Sequence, residues 1–323
     1  MSIAEKLTTI SQNTKKVYDA GKTEISKQWS DWVLKNFGAH WGRKIIDAGL
    51  SLEEIPEVDT SSYTNFSNVF YNCTNISDST KNLINAPMLD TSNGTNFNSM
   101  FYSCYFLKTV PEYDTSKGTN FSYMFGNCYQ LETAPMLDTS NGTDFSGMFY
   151  CCDALTEVPE YNTSKGTDFS SMFEYCMSLK SFPDFDFSNA IDLGYAFAGT
   201  AITSVPDLNL SKCTQFYCTF ENCNKLTTVG DIVFNPNANS MSQHMFSGCS
   251  ALTELGIKEL PISLNLSSCS NLTESCVSNL IEALVDYSAS GTTHYLTLNL
   301  TVFNSVSDDD KAKAEAKNWS LGY

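Results

Sequence analysis

Arginine is nearly absent from this chain: Arg43 stands alone among 323 residues. Histidine is almost as scarce, with His40, His244 and His294 far apart. Charged residues make up 17% of the chain, against roughly 25% in an ordinary globular protein. Each shortage excludes something. Nucleic-acid recognition leans on arginine forks and basic patches, and the formal charge is −17, so no nucleic-acid partner is expected. Scattered histidines leave little for a metal site or a triad, so no catalytic residue, metal ligand or cofactor is expected. No run of 18 apolar residues occurs, which argues against membrane insertion. The start has no basic stretch followed by an apolar one, so synthesis in a cytoplasm without a signal peptide is the expectation.

Ser, Thr and Asn take the place of charge, while 42% of residues are hydrophobic and 13% aromatic, enough to fold. Twelve cysteines could suggest a disulfide scaffold. However, Cys104, Cys128, Cys152 and Cys176 recur every 24 residues. On stacked helices they would lie ~8–10 Å apart, beyond the roughly 7 Å reach of a disulfide. Buried reduced thiols acting as small apolar fillers are therefore expected. Cys213, Cys218 and Cys223 match no common zinc or cluster spacing.

The cysteines belong to a repeat. Aligned on Phe-x-x-Cys, units carry Phe70, Phe101, Phe125, Phe149, Phe173, Phe220 and Phe246, and Phe197 joins them with Thr200 in the cysteine place. A proline precedes most of these phenylalanines by 14 residues (Pro87, Pro111, Pro135, Pro159, Pro183). The motif APMLDTSNGT alternates with VPEYDTSKGT, so a 48-residue duplication overlies the 24-residue unit. Within one unit, Phe121, Met124, Phe125 and Cys128 follow helical spacing, with Thr119 or Asn120 as N-cap. Thr109–Asp114 reads as a short strand ending in an Asx and Gly turn. The expected architecture is α/β: a solenoid of about eight to nine strand-turn-helix units over 51–266, with a sheet on one side and helices on the other. An N-terminal helical segment (1–50) and a C-terminal α/β cap (267–323) flank it.

The pattern Leu-x-x-Val-Pro…Asp-Thr-Ser-x-x-Thr-Asn-Phe-Ser-x-Met-Phe-x-x-Cys-x-x-Leu at 107–131 resembles the BspA-like leucine-rich-repeat family of bacterial surface proteins and related phage-encoded proteins. The unit after Phe220 departs from it, with Val229-Gly230 where Val-Pro is the rule, so local distortion of the stack is expected.

The ends differ from the middle. Thr273 can cap a helix running to Ser288, His294–Val302 alternates like a strand, and Ser307 with three aspartates opens a last helix. This ending resembles the cap of phage-encoded members. Residues 1–50 carry eight basic and five acidic residues, net +3, leaving −20 for the other 273. Ile3, Leu7, Ile10 and Val17 follow coiled-coil spacing. They could dock on another protein, hold an oligomer such as a trimer, or simply pack over the first repeat, with Trp29, Trp32, Phe37 and Trp41 as that junction's core. The opening residues resemble the start of phage tail-associated proteins.

The resemblance implies a non-enzymatic virion protein, a tail fibre or receptor-binding component. It would attach to a tail or baseplate protein through residues 1–50 and recognise a bacterial surface glycan or protein. Tyr71, Tyr102, Tyr105, Tyr123, Tyr129, Tyr150 and Tyr175 fall outside the core pattern, and the last six are candidate contacts, since Tyr among Ser, Asn and Gly makes adaptable recognition surfaces. Glu112 and Glu160 follow the prolines and are further candidates; the alternative for both sets is a plain solvated surface. The turn acids Asp90, Asp114, Asp138 and Asp186 are expected to cap backbone amides instead of binding calcium. Two other functions compete: a bacterial surface or intracellular interaction protein outside any virion, and a depolymerase using two carboxylates. Most acids recur with the repeat, which argues against the last.

Overall fold

The computed structural model describes residues 41–47, 58–75, 82–238 and 244–323. Ile3, Leu7, Ile10 and Val17, like Trp29, Trp32 and Phe37, lie outside the described residues. The described residues separate into two compact units. The first reaches Gly142 and takes in Met148–Tyr161; the second comprises Thr143–Gly147 and Asn162–Tyr323. The class is mixed α/β, with short strands and few helices.

The expected helix in each repeat does not form. The segment around each phenylalanine is a run of tight turns. Its cause is a left-handed residue two positions before and two after the phenylalanine: Asn68 and Asn72 around Phe70, Ser99 and Ser103 around Phe101, Tyr123 and Asn127 around Phe125, all with φ of 52 to 61°. In the second unit Ser171 and Tyr175 flank Phe173 in the same way. A positive φ every fourth residue is incompatible with a right-handed helix.

The backbone donors then split into two sets. Met100 N, Tyr102 N and Cys104 N close turns on Phe97 O, Ser99 O and Phe101 O. The alternate donors, Phe97 N, Ser99 N, Phe101 N and Ser103 N, point along the stack to Asn120 O, Ser122 O, Met124 O and Gly126 O, each at 2.8 Å. Phe169, Ser171, Phe173 and Tyr175 repeat this in the second unit, at 2.7–2.9 Å. Neighbouring repeats are thus bonded backbone to backbone, and phenylalanines stack face to face. The Phe70–Phe101–Phe125–Phe149 centroids are 5.2, 5.6 and 5.5 Å apart, and those of Phe173–Phe197–Phe220–Phe246 are 5.6, 5.5 and 5.5 Å apart.

That spacing overturns the separation assumed for the cysteines. Repeats sit at a strand-like ~4.8 Å, not at a helix-packing distance. The twelve cysteines nonetheless stay as unbridged thiols. Equivalent side chains point the same way instead of towards each other, so their Cβ atoms do not face as a disulfide requires. Thiols of the Phe-x-x-Cys motif donate to the phenylalanine carbonyl one repeat back: Cys104 to Phe70 O at 3.0 Å and Cys152 to Phe125 O at 3.1 Å. Cys223 and Cys249 do the same in the second unit.

The extended side of the early repeats is also thinner than expected. Pairs such as Asn85–Thr109 and Thr133–Glu157 are single bridges. Ala86 N and Ala134 N donate across, but Pro87 and Pro135 follow and have no N–H to continue the ladder. Longer, unbroken strands appear where proline is missing, while Pro206 divides a shorter pair. In the second unit, β1 (Ser204–Val205) and β2 (Leu208–Leu210) both pair in parallel with β3 (Thr228–Phe234), and β3 pairs with β4 (Glu254–Glu259). Gly230 stands at the proline position of β3, and the register with β4 shifts between Val229 and Asp231. The anticipated distortion is this bulge.

The 48-residue alternation has a packing reason. Leu89, Tyr113, Leu137 and Tyr161 are buried in turn. Each tyrosine hydroxyl reaches back to a proline carbonyl, Tyr113 to Pro87 O at 2.6 Å and Tyr161 to Pro135 O at 2.7 Å. At the turns, Lys117 Nζ donates to Asn93 Oδ1 at 2.6 Å, while the Asn93 and Asn141 amides donate to Ser61 O and Ser116 O.

A stack of this polarity leaves carbonyls unpaired at its first edge. Beside that edge, in the first unit, the single arginine, Arg43 of α1 (Trp41–Asp47), donates to Asn72 O, which also accepts from Thr74 N, and to Thr74 O at 2.9 Å. Gly42 N adds a bond to Val69 O, and Trp41 packs edge-on against Phe70 at 5.1 Å.

In the second unit, a parallel sheet joins β5 (Leu264–Leu266), β6 (His294–Leu298) and β7 (Trp319–Gly322). Thr273 caps α2 (Glu274–Glu282) as expected, but α2 ends short of Ser288, because Leu284 turns out to bridge Leu260. The expected strand to Val302 stops at Leu298, where Asn299 caps α3 (Leu300–Ser305) by accepting from Thr301 N. Ser307 accepts from Asp310 N and opens α4 (Asp308–Ala316).

Two outcomes are expected from this packing. Thr115 is fully buried and its hydroxyl donates to Asp138 O at 2.9 Å. Thr115→Val should lower stability by about 1–3 kcal/mol in urea unfolding, since a buried acceptor loses its donor. Burial also pushes the Cys223 thiol up to about 11 and the Cys269 thiol up to about 12. Both are protonated, folded or unfolded, below the free-thiol range near 8.5. As pH rises from there through 11, the unfolded chain ionises first, so stability should fall by roughly 1.4 kcal/mol per thiol per pH unit. Equilibrium unfolding between pH 8 and 11 measures this, and a flat profile would contradict it.

Candidate functional site

The turn segments decide where the tyrosines lie. In the first unit, ring contacts run from repeat to repeat. Tyr71 stacks on Tyr102 at 5.5 Å, Tyr102 meets Tyr123 edge-on at 5.9 Å, and Tyr123 meets Tyr150 edge-on at 6.2 Å. A second contact pairs Tyr105 with Tyr129 at 4.9 Å. Five of the six predicted tyrosines are thus brought together on one surface of this unit. Tyr71 joins them at its end. Tyr71 and Tyr129 are each 39% exposed and the others are half-buried.

Tyr175 belongs to the second unit, where it is 41% exposed. Tyr195, Tyr217 and His244 form a further chain there, with centroids 5.3 and 6.0 Å apart. Sequence reasoning missed these three. Tyr195 stands two residues before Phe197, as Tyr123 stands two before Phe125, and that shared offset was the available signal.

Small residues make room for the rings. A Cβ on Gly126 would lie 2.8 Å from Tyr102 Cδ2, and one on Gly199, which has φ +71°, would lie 2.7 Å from Tyr175 Cδ1. Tyr123, Tyr175 and Tyr195 themselves occupy left-handed positions, with φ of 52, 59 and 57°. Equivalent positions elsewhere hold Asn, Ser, Gly or Cys. A bulky residue with positive φ is uncommon and costs energy.

The surface has little charge. Burial, then the neighbouring Tyr105 hydroxyl, pushes the Tyr129 phenol above its ordinary value, so it is neutral at physiological pH. Asp153, next in the same row after Tyr105 and Tyr129, has its carboxyl raised by burial. The Asn98 amide donates to Ser122, the residue before Tyr123.

Glu112 and Glu160 are exposed on the extended segments of the first unit, apart from the turn segments. The turn acids cap backbone, as expected. Asp114, Asp138 and Asp186 each accept from the backbone of the serine two residues on, and Asp90 from Ser92 N and Oγ. The serine hydroxyls and amides hold the Asp114, Asp138 and Asp186 carboxyls below the usual range. Among the described residues no group of three or more His, Cys, Asp or Glu is placed to hold a metal ion.

Comparison with known proteins adds the following. No curated protein matches the chain. A solved leucine-rich repeat protein from Bacteroides ovatus ATCC 8483 is similar at 12% identity over 74% of this chain and 83% of that one. Its TM-score of 0.23 is too low to transfer a fold. The sequence family described as Mycoplasma protein of unknown function, DUF285, matches three overlapping stretches, 45–157, 108–205 and 143–258. These matches cover the Phe-x-x-Cys repeats and well over half of the chain, which therefore belongs to the DUF285 family.

Proposed function

We propose that this chain is a non-enzymatic recognition protein, a leucine-rich-repeat type solenoid of eight to nine units that presents its tyrosines to a partner. The observation that carries this reading is the placement of Tyr123, Tyr175 and Tyr195 at left-handed positions. The backbone there favours Gly or Asn, so the ring is retained at a conformational cost of roughly 1–2 kcal/mol. Strain kept on a surface is a pointer to function. Tyrosines beside Asn and Ser supply contact area at low entropic cost.

The finer reading is a tail-associated virion protein. Residues 1–50 hold a tail or baseplate protein or a homotrimer, and the tyrosine surface engages a bacterial glycan or protein. It rests on the resemblance of both chain ends to phage tail-associated proteins. A second reading is a cellular interaction protein, favoured by the family's description as a Mycoplasma protein. Carboxylates tied into backbone caps favour binding over hydrolysis in either case.

Mass spectrometry of purified virions separates the two: the protein should be present, and its absence from them would leave the cellular reading. Tyr123→Asn combined with Tyr175→Asn is expected to keep or raise thermal stability while abolishing competition with phage for host cells. Loss of stability with competition intact would instead make these rings structural.

A further inference from the structure

We propose that the extended segments of the first unit form a second docking surface, for a cationic amphipathic helix of a partner protein. The residues after the prolines are Met88, Glu112, Met136 and Glu160, one per repeat in a 24-residue register. Met88 and Met136 are 64% and 61% exposed, and Ile84, at the start of the same segment as Met88, is 43% exposed. Core packing explains the alternation one residue further on, where Tyr113 and Tyr161 bond to proline carbonyls between leucines. It places no demand on the outward side chains. Exposed methionine is a soft, adaptable contact surface.

Charge complementarity indicates the occupant. These four segments, residues 84–88, 108–112, 132–136 and 156–160, carry Glu112, Glu132, Glu157 and Glu160 against one cation, Lys108. All five side chains are exposed. A partner here needs positive groups between apolar ones. The spacing selects a helix. Repeats rise ~4.8 Å each, so the two methionines are about 10 Å apart. Seven residues of helix span about 10.5 Å and return to the same face. Same-face residues of a strand recur at about 6.8 Å and fall out of register. Leucines at i and i+7 would sit on Met88 and Met136, and a lysine or arginine at i+3 or i+4 would sit over Glu112.

The test uses the full chain and a fluorescein-labelled 21-residue helical peptide with leucine at every seventh position and lysine at i+3 and i+4. A control peptide carries glutamate in place of lysine. Anisotropy should show binding of the lysine peptide alone, weakening with added salt. Met88→Ser with Met136→Ser should weaken it about tenfold or more, and Glu112→Gln with Glu160→Gln should flatten its salt dependence. These side chains are exposed, so circular dichroism and unfolding midpoints of the variants should match the parent. Binding of both peptides alike, of neither, or equally to all variants overturns the proposal. So does displacement of the lysine peptide by a peptide of residues 1–20 of this chain, since the surface would then belong to the chain's own basic segment.

Discussion

Everything in the repeats depends on the backbone bond that each alternate N–H of a turn segment makes to the next repeat. It sets the rise at a strand-like spacing although the segments are not strands. It also demands a left-handed residue at every fourth position, because only then do successive amides alternate between closing a turn and pointing along the stack. Side chains follow from it: the phenylalanine columns, the thiols over the preceding carbonyls and the tyrosine contacts all inherit one register. The same polarity leaves Val69 O, the counterpart of Met100 O, without a preceding repeat, and Gly42 N meets it. The Arg43 guanidinium, with five donors, adds bonds beside it to Asn72 O and Thr74 O.

The repeat and its core were legible because they rest on periodicity. Phe101, Met124, Phe125, Cys128 and Leu131 recur with the period and are buried as their recurrence implies. The two ends of α2 show where that legibility stops. Thr273 announced its cap, but nothing local announced that Leu284 would leave the helix to bridge Leu260. The helix expected at 119–131 failed for a sharper reason. Apolar residues at i, i+3, i+4 and i+7 also suit two consecutive tight turns, and periodicity cannot tell them apart. Asn and Ser two positions either side of each phenylalanine were the evidence for positive φ, but tyrosine and cysteine at equivalent places hid the rule.

The tyrosine surface is legible in composition and not in conformation. That tyrosine is unneeded by the core at 102, 105 and 129 follows from the apolar pattern alone. That Tyr123 and Tyr175 pay a backbone cost follows only from their dihedral angles. Tyr195 is harder to read because its repeat is irregular, with Thr200 at the cysteine place.

The alternation of Leu with Tyr and of Asn with Lys has a consequence for how such a chain can lengthen or shorten. Removing the single repeat that carries Tyr113 and Lys117 would set Leu89 beside Leu137 and Asn93 beside Asn141. The buried space that tyrosine fills would stay open, and the lysine bridge would be gone. Removing two repeats restores every pairing. The heritable unit of growth is therefore the pair, and relatives that differ in length should differ by even numbers of repeats.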